Sequence, residues 1–257
     1  MSPPHRNAMD YLIKSFVILH HRFYEIRNTV HKSSCIMSLY QVGQDSSRSN
    51  MVLELFSQIL KEPAFNVLRT QEQLGYIVFS GVRNVGGITG FQVLVQSTKK
   101  PRFLNHRIEE FLKSARTLIA EMPEEELERH KEALAQKKLE KPKKLSARFD
   151  KIYSEISSRR LNFHRDEIET EELQKIGRAD VLQFFDDFIA PNAEERKKLS
   201  THVISQIADQ DKEEALEEET NNFFNEEQII ETNQFKLGLS LYPAVQPFVC
   251  LKDLLRG

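Results

Sequence analysis

Residues 64–97, AFNVLRTQEQLGYIVFSGVRNVGGITGFQVLVQS, restrict the fold of this chain more than any other stretch. Phe65 and Leu68 fall on successive helical turns, and Gly75 then breaks the pattern, where the spacing predicts a left-handed glycine cap. Beyond the break, Tyr76–Val82 and Ile88–Ser97 are dense in aromatic and β-branched residues and read as strands. Asn84-Val85-Gly86-Gly87 between them has the chemistry of a tight antiparallel turn. A helix feeding a hairpin in this way needs a sheet for the hairpin to join and an apolar layer to receive the helix.

The flanking sequence supplies both. In CIMSLYQVG, 35–43, Ile36, Ser38, Tyr40 and Val42 share one face of a predicted strand. The DSSRSN segment, 45–50, offers N-caps for a helix from Met51 that aligns Val52, Leu55, Phe56, Ile59 and Leu60, and Glu62-Pro63 should end it. A helix over 103–121 follows, and Pro123 with Glu124, Glu125 and Glu126 starts another, with proline at the first position and acids in the first turn. Lys137, Lys138 and Lys141 close that helix, and Pro142 stops it. A third helix, capped by Ser146 and reaching about Arg160, should turn Phe149, Ile152, Tyr153 and Ile156 inward. A fourth, 178–189, carries Val181, Phe184, Phe185 and Phe188, and Leu199–Ile207 alternates as a strand. This order predicts an α+β domain, an antiparallel sheet with helices packed on one face.

Charge excludes some partners. The 257 residues hold 36 Lys+Arg against 38 Asp+Glu, which gives no reason to expect nucleic acid or an anionic membrane. The apolar run Tyr11–Leu19 is too short to span a bilayer and has no signal-peptide flanks. Cys35 and Cys250, far apart in sequence, read as free thiols in a reducing, cytoplasmic compartment.

No hydrolytic centre can be assembled from the chain. Inverted zinc peptidases use H-x-x-E-H, and the nearest approach, His106-Arg107-Ile108-Glu109-Glu110, has glutamate where the second histidine must stand. His20, His21 and His31 read as solvent-facing side chains beside a strand. Ser80-Gly81 lies within a strand, Cys35 has no histidine beside it, and Gly86-Gly87 lacks the lysine and helix of a phosphate loop. Two groups have chemistry left to offer. The lysines of KKLEKPKKL, 137–145, suit either a solvated helix terminus or a polyanion site. Arg69 and Tyr76 project from one corner, where a guanidinium and a phenol suit either plain surface or contact with a peptide carbonyl.

The segment LRTQEQLGYIVFSG, 68–81, closely resembles the C-terminal part of the insulin-degrading-enzyme (insulysin) family, pitrilysin-like zinc metallopeptidases of the inverzincin type. The likeness extends from about Tyr24 to Val245 and includes Glu62-Pro63, Lys141-Pro142-Lys143-Lys144-Leu145-Ser146-Ala147, Asn162-Phe163 and Leu241-Tyr242-Pro243. It divides the chain into a divergent start, 1–23, a lobe domain, 24–207, and an acidic linker with a C-terminal extension, 208–257. The resemblance implies the last of four homologous α+β domains, arranged as two bowl-shaped halves around a peptide-trapping chamber. It implies that Arg69 and Tyr76 hold and polarise a substrate carbonyl while zinc-bound water attacks, and that Lys141, Lys143 and Lys144 bind ATP or another polyanion. With no H-x-x-E-H, the chain is expected to bind no catalytic metal, to be inactive alone, and to need a zinc-bearing N-terminal half as partner. Peptide substrates are the other expected partner, and a homo-oligomer is allowed. The rival expectation is a non-catalytic peptide- or polyanion-binding protein.

Overall fold

The alternation in β2 (Ser34–Gln44) sends Ile36, Tyr40 and Val42 to one face, where all three are buried. Partner side chains come from β4 (Ile88–Ser97), whose Phe91, Val93 and Val95 lie on the same side of the sheet. The computed structural model describes residues 21–205, 226–239, 242, 247 and 248. The run Tyr11–Leu19, the acidic segment 209–220 and Cys250 lie outside them.

Among the described residues, six strands form one sheet. With β1 (His21–Asn28), β3 (Ile77–Val85), β5 (Lys197–Ser205) and β6 (Glu226–Gln228), the order is β3-β4-β2-β5-β1-β6. Neighbours from β3 through β5 are antiparallel as expected, whereas β1 joins β5 and β6 in parallel. The hairpin turns at Gly86 and Gly87, both at positive φ (59° and 85°), which suits a two-residue turn.

Helices cover one face. Helix α1 (Ser47–Ala64) starts at Ser46, whose hydroxyl accepts the Ser49 N–H at 3.3 Å, and buries Met51, Leu55, Phe56, Ile59 and Leu60. Pro63 does not end it: the backbone stays helical and widens into a π-helical segment, Phe65–Gln71. Buried Ala64, Leu68 and Leu74 continue the apolar face past the proline, and their packing outweighs its missing N–H. Helices α2 (Pro101–Glu121), α3 (Glu124–Leu139) and α6 (Arg178–Phe184, continuing as a π-helical turn to Ile189) add Leu104, Ile108, Leu127, Leu134, Val181 and Phe184 to the same core. Pro123 occupies the N-cap of α3 rather than its first turn.

Helix α4 (Leu145–Ser157) departs from expectation. Phe149, Ile152, Tyr153 and Ile156 do share a face, but that face is exposed, with Phe149 at 60% and Tyr153 at 55%. The helix is held from its other side, where buried Glu155 accepts hydrogen bonds from Arg165 (2.6 Å) and the Asn162 N–H (3.0 Å). Arg165 opens α5 (Arg165–Gln174), an element without a hydropathy signal. Its Glu169 is 1% exposed and binds Lys138 (2.7 Å), Arg165 (3.1 Å) and Asn50 (2.9 Å), so charge pairing replaces apolar contact there. A further short helix, α7, covers Thr232–Leu237.

A second buried polar cluster ties α2 to the sheet. Glu109 accepts from Arg196 (2.6 Å), Lys198 (2.7 Å) and the Tyr40 hydroxyl (2.8 Å). Burial pushes its carboxyl up, but the two cations beside it hold it well below the usual carboxylate range. The near-motif glutamate found in the sequence is thus spent on a structural ion pair.

Candidate functional site

The corner between the first helix and the hairpin is built by three local constraints. The π-helical segment ends at Gln71, and the Leu74 N–H closes onto the Leu68 carbonyl at 3.0 Å. Gln73, not Gly75, occupies the left-handed position, with φ 50°. Gly75 serves a different need: a Cβ there would lie 1.9 Å from the Gln96 carbonyl oxygen, so only glycine lets the incoming chain cross the end of β4 this closely. The Ser97 hydroxyl donates to the Leu74 carbonyl, and Arg107 of α2 grips Glu72 through two bonds of 2.7 Å.

This corner aims the two candidate residues at each other. The Arg69 guanidinium carbon lies 4.7 Å from the centre of the Phe65 ring and 5.2 Å from that of Tyr76. Phe65 precedes Arg69 by one helical turn, and Tyr76 comes back to it from the start of the hairpin. The guanidinium is therefore held between two aromatic faces, an arrangement that fixes its plane while leaving its N–H edge available. No acid among the described residues pairs with it, because the neighbouring Glu72 is taken by Arg107. Tyr76 is 82% exposed. Both side chains line an open cavity of about 650 Å³ with Ser33, Gln73, Gln96 and Thr98. Such a site can donate hydrogen bonds from a guanidinium and a phenol to one carbonyl or carboxylate oxygen. Sequence alone does not place Phe65 in the site, although its four-residue spacing from Arg69 is a signal for it.

The lysine cluster is divided by the fold. Lys138 turns inward to Glu54 (3.0 Å) and Glu169 (2.7 Å); burial works against its charge, but these carboxylates raise its pKa. Lys141, Lys143 and Lys144 stay exposed on the connection between α3 and α4, and Lys143 pairs with Glu140 at 2.7 Å. The Cys35 thiol is free and half-buried, with its pKa raised by burial. His31 is exposed. No H-x-x-E-H occurs in the chain, and among the described residues no three His, Cys, Asp or Glu side chains are grouped to hold a metal ion. The described residues therefore do not fit a catalytic zinc. No described helix is long and apolar enough to cross a membrane.

Residues 55–153 match a family described as PQQ synthase PqqF-like, C-terminal lobe domain 4. Pitrilysin shares the fold, with a TM-score of 0.70 at 20% identity, over 91% of this chain and 24% of that one. A protease from Helicobacter pylori superposes with a TM-score of 0.59 at 13% identity, over 72% of this chain and 44% of that one. The architecture is thus that of a C-terminal lobe domain of the pitrilysin-like peptidases.

Sequence narrows the class. Insulin-degrading enzyme of Drosophila melanogaster is 44% identical over 230 residues, 89% of this chain and 23% of that protein. Its Homo sapiens counterpart is 41% identical over 235 residues, 88% of this chain and 23% of that protein. By sequence the chain is similar to a C-terminal part of the insulin-degrading enzymes, and it spans about a quarter of the length of these relatives.

Proposed function

We propose that this chain supplies the substrate-gripping part of a zinc metalloendopeptidase that cleaves peptides, with the metal and its ligands carried by another portion. The observation that carries the reading is the Arg69 guanidinium, stacked between Phe65 and Tyr76 beside an open cavity and without an acidic partner among the described residues. Arg69 donates N–H groups to the carbonyl of a bound peptide, and the Tyr76 hydroxyl donates to the same oxygen as negative charge develops on it. Stacking fixes the guanidinium before substrate arrives, so little reorganisation is needed at the moment of reaction.

The test is reconstitution. The chain is mixed with the zinc-bearing half of an insulin-degrading enzyme, and peptide cleavage is followed. Cleavage should appear only in the mixture. Tyr76→Phe and Arg69→Ala should each lower kcat by about 10²-fold, the range for loss of one oxyanion donor, with a smaller change in KM. Cleavage by the metal-stripped chain alone, or full rescue by both variants, overturns the reading.

We propose further that Lys141, Lys143 and Lys144 contact a polyanion such as ATP, in support of which all three stand exposed on one short connection. Lys143→Ala with Lys144→Ala should weaken tripolyphosphate binding and flatten its salt dependence, read by calorimetry. A cytoplasmic location belongs to the same proposal and accords with the free Cys35 thiol.

A further inference from the structure

Strand β3 ends the sheet, and its outer edge has no strand partner among the described residues. Edges of this kind are normally blunted by lysine, proline, a bulge or short length. The strand has neither lysine nor proline nor a bulge, and its one charge, Arg83, turns across to Gln92 of β4 (3.4 Å); IVFSGVRNV runs nine residues in unbroken register to β4 from Ile77 to Val85. The opposite edge, β6, is only three residues long. Along β3, alternate residues turn their N–H and C=O groups outward, and no described residue outside β4 bonds to them. Two apolar side chains on the helix-free face of the strand, Ile77 and Phe79, are 44% and 47% exposed, while Val78 and Val82 pack toward the core.

The position of this edge gives it a use. Its first residue, Ile77, borders the cavity that holds Arg69 and Tyr76, so a chain lying along β3 is led to the guanidinium. The guanidinium has donors and no described acid to receive them, which complements the carbonyl oxygens of an extended backbone. We infer that the β3 edge binds an extended, alternating apolar peptide as a seventh strand and delivers one of its carbonyls to Arg69 and Tyr76. This inference rests on the proposed substrate-gripping role and names how the peptide is held: by main-chain bonds along β3, with side chains of one parity laid beside Ile77 and Phe79.

A labelled peptide of alternating valine and threonine, about ten residues long as strands are, tests it with the full chain by fluorescence anisotropy. Two derivatives carry N-methyl groups at either the odd or the even positions. Edge pairing uses the N–H groups of one parity only, so one derivative should bind about tenfold or more weakly, since each net hydrogen bond contributes roughly a fivefold factor. The other should bind within about twofold of the parent. On saturation with the parent peptide, outward amides of β3 should gain protection from hydrogen exchange in alternation. Equal binding by the two derivatives, or protection confined to other elements, overturns the inference. If Tyr76→Phe still lowers reconstituted cleavage in that event, the gripping role stands and only the edge pairing fails. If parity matters but Tyr76→Phe and Arg69→Ala leave cleavage unchanged, the edge binds peptide and the gripping role fails.

Discussion

A methyl group on Gly75 would meet the Gln96 carbonyl, oxygen at 1.9 Å and carbon at 2.8 Å, and neither backbone can swing aside as a flexible side chain would. Gly75→Ala should therefore destabilise the chain by about 2–3 kcal/mol, read from the urea midpoint. Two residues earlier the sign reverses. Gln73 sits at φ 50°, where an L side chain incurs roughly 1–2 kcal/mol, so Gln73→Gly should stabilise by up to about 1 kcal/mol. Swapped effects would mean that the corner has been misread. His202 provides the pH-sensitive residue. It is buried against Phe23, ring centres 5.1 Å apart, and neither ring nitrogen finds a partner. Burial, helped by the charges of Lys198 and Arg102, pushes its pKa down to about 3. An unfolded histidine titrates near 6.5, so between these values the unfolded chain takes up a proton that the folded one refuses. Stability is complete above about pH 6.5 and declines below it by about 1.4 kcal/mol per pH unit. The urea midpoint should accordingly fall from about pH 7 to about pH 5, a range above ordinary carboxylate titration, and His202→Phe should flatten that slope. A variant with the wild-type slope would remove His202 as its cause.

Helices and strands are joined here by buried charge as well as by apolar packing. Glu109 of α2 faces Arg196 and Lys198, whose side chains are 2% and 0% exposed. Glu109→Ala leaves both cations buried without their counter-ion, and the expected loss is about 3–5 kcal/mol in chemical denaturation. By contrast, Phe149→Ser or Ile156→Ser on the exposed face of α4 should move stability by no more than about 0.5 kcal/mol. Phe184→Ala in the core should lose about 3–5 kcal/mol. A large loss at Phe149 would mean that this face is packed after all. The same contrast explains what could be read from sequence. Periodicity revealed α1, α2 and the hairpin, and it grouped the apolar residues of α4 correctly, but it cannot say whether a group of residues has anything to pack against. Helix α5 gave no signal because its anchor is Glu169, buried through Lys138, Arg165 and Asn50. The parallel pairing of β1 with β5 joins Arg22 to Leu199, a separation that local patterns do not encode. At the site, the proximity of Arg69 and Tyr76 followed from the helix-to-strand break. Left-handed geometry falls on Gln73 rather than on the expected Gly75, because the widened helix shifts the turn.

At the scale of the whole molecule, charge is nearly balanced, formally −2, and the surface retains apolar areas on α4 and on β3. A chain of this kind exerts little long-range electrostatic pull on a partner, so association with the proposed metal-bearing portion should be driven by apolar contact. The exposed lysines at 141, 143 and 144 should behave in the opposite way, since the polyanion binding proposed for them would be wholly ionic. Raising salt from about 0.01 M to about 1 M shrinks the screening length from about 30 Å to about 3 Å and separates the two contributions. Over that range reconstituted cleavage should change by less than about threefold, while tripolyphosphate binding should weaken by at least about tenfold. Exposing this chain to a chelator before mixing should leave cleavage intact, whereas the same treatment of the partner should abolish it, because the described residues group no metal ligands. A tenfold loss of reconstitution at high salt would instead mean that the two portions meet through charged surfaces, and would move attention from the apolar faces to the lysine-bearing connection between α3 and α4.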